Sequence, residues 1–276
     1  TNSLGFQLSA FATLTVQAHP SPATFYVDAD SGLDTNSGLS KNFPWQHAPG
    51  MITCSANCSL IPLASGDKVV FKGGVTWNGT NFPMVVNWSG TPGNPITYGV
   101  DPAWFKAAKW TRPMFDLSIG VWTVAPVLAS SVNSVVFDNL EIANQQVDSK
   151  YMWPPRSAIS VDGGSNVTIQ NCFIHGWSIR NPVVDSDTDP IGGIAFYNGS
   201  TGGVVRNCVL DGGPEADSGI GIYGGAVIQG NIIKNMPNGI QVVDPGSDVS
   251  GNQIFNVTYS VDPTKQQNGI LVEGGG

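Results

Sequence analysis

Of the 276 residues only 12% are charged, while 34 are Gly and 19 are Pro, a composition that excludes a bundle of long amphipathic helices and favours many short strands. A formal net charge of −8 without any Lys/Arg cluster excludes a phosphate-binding surface, so nucleic acid is not an expected partner. No apolar run reaches the roughly 18 residues that a membrane-spanning helix needs.

Residues 1–23 read in two ways. Leu4, Phe6, Leu8, Ala10, Ala12, Leu14 and Val16 alternate as in an edge strand. Val16-Gln17-Ala18 also resembles a small-residue cleavage site, which would make the segment a signal remnant, although no basic region precedes it. Residues 24–276 are expected to form one domain. Cys54 and Cys58 share a CSANC loop, where they form a local disulfide or stand as two free thiols. None of the four cysteines has zinc-finger spacing with a nearby His.

From about residue 130 the chain repeats. Aligning NVTIQNCFIHG with GAVIQGNIIKN makes Ile142, Ile174, Leu210, Ile233 and Ile254 equivalent, and the shortest separations, 23 and 21 residues, approximate one coil. A second strand recurs as AISVD, GIAFY, GIGIY, GIQVV and GILVE, which would stack Ile159, Ile194, Ile220, Ile240 and Ile270 inward. Strands at a period in the twenties, with no helix between them, predict a β-solenoid. The tight turn of each coil carries Asn139, Asn171, Asn207, Gly230 or Gly251, residue types that accept a left-handed backbone. The next position, Leu140, Cys172, Cys208, Asn231 or Asn252, faces inward, so Asn231 over Asn252 should form a side-chain amide ladder. Cys172 and Cys208 would lie about one strand spacing, roughly 4.8 Å, apart. They are expected to stay free, because in-register parallel side chains point the same way. GILVEGGG stops in mid-coil with no polar cap, so the chain is read as part of a longer protein.

The segments TFYVDADSGLDTNSGLS, FPWQHAPGM, CSANC, SGDKVVFKGGVTW and SGTPGNPITYGVD resemble the front end of secreted right-handed parallel β-helix proteins of the pectate-lyase-like superfamily. The resemblance implies an all-β, right-handed parallel β-helix, secreted or at the cell surface, monomeric, with a polysaccharide as partner. It also implies glycoside hydrolase or polysaccharide lyase activity, with a substrate groove along the first strand of each coil.

On that strand the outward positions are Ser160, Ala195, Gly221, Gln241 and Leu271, with Asp162, Tyr197, Tyr223, Val243 and Glu273 at the strand ends. They lack the Lys/Arg base flanked by acidic metal ligands that β-helix lyases acting on uronates use. Attention therefore moves to the loops at 143–158, 175–193, 211–219 and 255–269, which all leave one corner of the coil. They carry Lys150, Arg156, His175, Asp211 and Glu215 among their candidates. Asp185, Asp187 and Asp217 are the expected catalytic carboxylates, with Arg180 as a candidate base. Asp185, Asp187 and Asp189 can also offer alternate oxygens to Ca²⁺, although an EF-hand would place Gly where Pro190 stands. Trp153, Trp177, Tyr197 and Tyr223 are the candidate sugar-stacking aromatics. The GxGxxG match at 219–224 lies within a strand rather than opening a helix, so it predicts no dinucleotide site. The alternative to an enzyme is a non-catalytic surface module that binds glycan or protein.

Overall fold

The computed structural model describes residues 22–120, 122–148, 154–180, 191–212, 219–243, 246–257 and 267–273. The alternative readings of the N-terminal segment concern residues that lie almost wholly outside this set. Among the described residues, three sheets of seven, eight and seven strands wrap one apolar core, and two further strands pair as a small fourth sheet. Each coil runs from the first sheet to the second and third, as in Ile159–Ser165, Thr168–Gln170 and Phe173–His175. Neighbouring coils pair in parallel. The fold is therefore a parallel β-helix.

The stack on the third sheet is the one that the repeat predicts: Ile142, Ile174, Leu210, Ile233 and Ile254 are successive partners. The first four are buried, so each coil seals the one before it. On the first sheet one member differs. Ile159, Ile194, Ile222, Ile240 and Ile270 are the partners, and Ile222 rather than Ile220 fills the inner column. The strand Ile191–Tyr197 carries a one-residue register shift between Ile191 and Ile194, which places Ile220 opposite Ile191. Such a bulge adds a residue to one strand without changing the stacks on either side. Gly193 permits it, since a Cβ there would lie 2.2 Å from the Gly221 carbonyl oxygen.

The turns between the second and third sheets follow the predicted chemistry. Asn139, Asn171, Asn207, Gly230 and Gly251 all have φ between 54° and 65°, the left-handed region. Inside the turn, Leu140, Cys172, Cys208 and Asn231 are buried. The Asn231 amide donates to Asn252 Oδ1 at 2.9 Å and to the Val205 carbonyl at 3.1 Å, and its Oδ1 accepts the Cys208 N–H at 2.8 Å. Replacing Asn231 by Ala would strand the Cys208 N–H and Val205 carbonyl in the core. Urea denaturation should then show a loss of about 1–3 kcal/mol. Cys172 and Cys208 are free, and burial pushes the Cys172 thiol well above its ordinary range.

The first coils are closed by the segment that follows Thr24–Val27. Trp45 stacks on Phe25 with ring centroids 4.8 Å apart, and both rings are buried. Around them, residues 28–65 fold onto buried carboxylates: Asp28 accepts from Lys72 and Ser31, and Asp67 from the Ala23 and Ala64 N–H groups. Cys54 and Cys58 are disulfide-bonded across the short helix Ala56–Leu60. At the other end the last described coil is open, with Ile270 and Val272 exposed.

Candidate functional site

The same repeat that stacks the core residues sends their sequence neighbours outward. Immediately after Ile142, Ile174, Leu210 and Ile233 come Ala143, His175, Asp211 and Lys234, side by side across four coils of the third sheet. Glu141 and Phe173 precede the first two of those core residues on the same outer face. His175 Nε2 lies 3.0 Å from Glu141 Oε1, and the imidazole stacks on the Phe173 ring at 4.1 Å. Both polar side chains keep roughly a quarter of their surface in solvent. With Nε2 committed to Glu141, Nδ1 is the ring nitrogen left to exchange a proton. One strand further on, the Asp211 carboxylate binds Lys234 Nζ at 2.8 Å and the Asn235 amide at 2.7 Å.

This row stands at the foot of the loops, because the chain leaves the sheet directly after Ala143, His175 and Asp211. In the sequence His175 and Asp211 stand out as charges at the start of loops, whereas Glu141 and Lys234 do not. The missed signal is the repeat itself, which marks the residue before and after each stacked apolar position as outward and adjacent between coils.

The outer face of the first sheet differs from expectation. The ladder there is Leu128, Ser160, Ala195, Tyr223, Gln241 and Leu271, so the bulge brings Tyr223 into the place expected for Gly221. Outward does not mean exposed, since Ser160 and Ala195 are fully buried. A strap at 154–158 crosses Ser160, whose hydroxyl meets Ser157 Oγ at 2.7 Å and the Pro155 carbonyl at 3.2 Å.

The aromatic expectations need correction. Trp177 is 1% exposed and belongs to the main core, so its ring has no face for a sugar. The cause is the small extra sheet, in which Ser178–Arg180 pairs with Gln146–Asp148 and turns the start of the loop inward. Tyr197 is also largely covered, packed with Ala195 and Ile220, while Tyr223 is half-buried beside them. Burial, followed by the Asp162 charge and a hydrogen bond to that carboxylate, pushes the Tyr197 phenol up to about 12. Asp162 also accepts from Asn198 Nδ2 at 2.7 Å. In ultraviolet titration, Asp162→Asn should lower the pH at which this phenol ionises, and Tyr197→Phe should remove that step.

Trp153, Asp185, Asp187, Asp189 and Asp217 lie outside the described residues, as does the side chain of Arg180. Among the described residues no group of three or more His, Cys, Asp or Glu side chains is placed to hold a metal. Likewise no helix among them is long and apolar enough to cross a membrane. The glycines at 219–224 frame the strand Ile220–Tyr223, which pairs on both sides within the first sheet.

A family described as a right handed beta helix region matches residues 122–276. The chain belongs to the right-handed β-helix family. Among solved structures this β-helix is similar to the GH136 lacto-N-biosidase from Eubacterium ramulus, at 18% identity and a TM-score of 0.57, over 80% of this chain and 43% of that one. It is similar also to a rhamnogalacturonan lyase, at 16% identity and a TM-score of 0.55, over 90% of this chain and 65% of that one. At these identities the likeness is one of fold, and the β-helix spans less than two thirds of either relative. No curated protein matches it.

Proposed function

We propose that this β-helix protein acts on a polysaccharide outside the cell and cleaves it at the foot of the loops. The observation that carries the reading is the row on the third sheet, where Glu141 holds His175 beside the Asp211–Lys234 pair. Glycan cleavage needs a positioned group to move a proton, and an imidazole held by a carboxylate is such a group. Asp211, held by Lys234 and Asn235, is placed to stabilise positive charge developing nearby. Asp185, Asp187 and Asp217 would supply the further carboxyl that hydrolysis requires, and Arg180 the base that elimination requires. Two structural relatives named as a biosidase and a lyase support a carbohydrate substrate. The Cys54–Cys58 disulfide supports an oxidising, extracellular setting.

The sealed Ser160 and Ala195 favour a second reading, a β-helix that binds glycan without cleaving it. Incubation of the purified protein with a broad glycan panel, with and without Ca²⁺, separates the two. New reducing ends or unsaturated products are expected; binding with neither product would establish the second reading.

A further inference from the structure

Resting on that cleavage reading, we infer that Asn235 is a positioning residue for Asp211, and that Asn256, one coil further on, acts through it. Each oxygen of the Asp211 carboxylate is engaged by the next coil, Oδ2 by Lys234 Nζ at 2.8 Å and Oδ1 by Asn235 Nδ2 at 2.7 Å. Two bonds to different oxygens fix the plane of a carboxylate as well as its place, and strand pairing sets Asp211 beside His175. The Asn235 oxygen accepts in turn from Asn256 Nδ2 at 3.1 Å. With that oxygen engaged, the Asn235 amide turns its N–H, and not its carbonyl, toward Asp211. A carboxylate held in one orientation stabilises developing charge without having to turn during the reaction.

The corner at which these asparagines stand explains why the arrangement recurs. Asn144, Asn235 and Asn256 follow the outward residues Ala143, Lys234 and Phe255 of their coils, and all three have φ between 52° and 63°, which Asn and Gly accept. From this corner Asn144 Nδ2 reaches back to Asp116 Oδ1 at 3.0 Å, as Asn235 does to Asp211. Asp116 stands two coils before His175, with Ala143 between them, whereas Asp211 is the immediate partner of His175. The same clasp is thus present once beside the imidazole and once away from it.

The test is steady-state kinetics of the full chain on a polymer that it cleaves from a broad glycan panel, comparing Asn235→Gly, Asn235→Asp, Asn256→Gly and Asn144→Gly. Glycine keeps the left-handed corner and removes only the amide; aspartate keeps the shape and removes the donor. Urea denaturation of each variant checks for a cooperative unfolding transition. Both Asn235 variants should lower kcat about tenfold or more with KM nearly unchanged. Asn256→Gly should lower kcat less, and Asn144→Gly should leave it at the parent value. Parent kcat in both Asn235 variants, an equal fall in Asn144→Gly, or a rise in KM with kcat unaltered would overturn the inference and leave the cleavage reading standing. Cleavage of no polymer by the parent would overturn both.

Discussion

His175→Ala should lower glycan turnover by about 10²-fold or more while leaving glycan binding in place. The side chain is partly in solvent and its ring packs on Phe173 at the surface, so truncation opens no cavity in the core. A loss of rate with an unchanged Michaelis constant would place the imidazole in the transition state rather than in substrate binding. Glu141→Gln provides the companion measurement. It keeps a hydrogen-bond partner for His175 Nε2 but removes the carboxylate charge beside the ring, so a smaller fall in rate is expected. Should both variants turn over glycan at the parent rate, the row on the third sheet is only a set of surface ion pairs, worth little to stability.

Asp34→Ala should destabilise the first coils by about 3–5 kcal/mol, the usual cost of breaking a buried charged network. Asp34 is buried and accepts from the Gln46, His47 and Ser55 N–H groups at 3.0–3.1 Å, from Ser55 Oγ at 3.0 Å, and from the His47 ring at 2.8 Å. It thereby ties the segment after Trp45 to the disulfide loop. Burial alone would raise its pKa, but the hydrogen bonds from His47 and Ser55 outweigh burial and hold the carboxyl below its ordinary value. Asp28 is lowered in the same way, with burial outweighed by Lys72, Ser31 and the Asp30 N–H. A depressed folded pKa contributes stability above the unfolded value, about 3.9, and that contribution disappears as pH falls through the folded value. The stability difference between parent and Asp34→Ala, measured by urea denaturation, should therefore hold from neutral pH to about 4 and shrink below it. A difference independent of pH would show that Asp34 acts through packing and not through its charge.

Much of the scaffold was legible because solenoid geometry is local and repeated. Asn171 and Gly230 announce the left-handed turn wherever they occur, and Ile174 and Ile233 announce the inner column. The exception on the first sheet arises because a one-residue bulge leaves the apolar pattern of GIGIY unaltered. Ile220 and Ile222 are both plausible stack residues, and only the partner strand distinguishes them. Trp177 and Tyr197 follow the same logic. An aromatic residue beside a loop has the same sequence signature whether it faces solvent or the core, and here the pairing of Ser178–Arg180 with Gln146–Asp148 turned Trp177 inward.

The sequence by itself determined the coil, its period, its turns, the Asn231–Asn252 ladder and the unpaired state of Cys172 and Cys208. Each of these depends on residues a few positions apart or one repeat away, where alternation and φ preference suffice. The tertiary structure decided which outward residues meet. Glu141 and His175 are 34 positions apart and Asp34 and Ser55 are 21 apart, and their contacts arise from stacking between coils and from the folding of an irregular cap. It also decided that Ser160 and Ala195, although outward, are sealed. The segment 154–158 that leads into the strand folds back over Ser160, and the alternation along the strand does not encode what crosses above it.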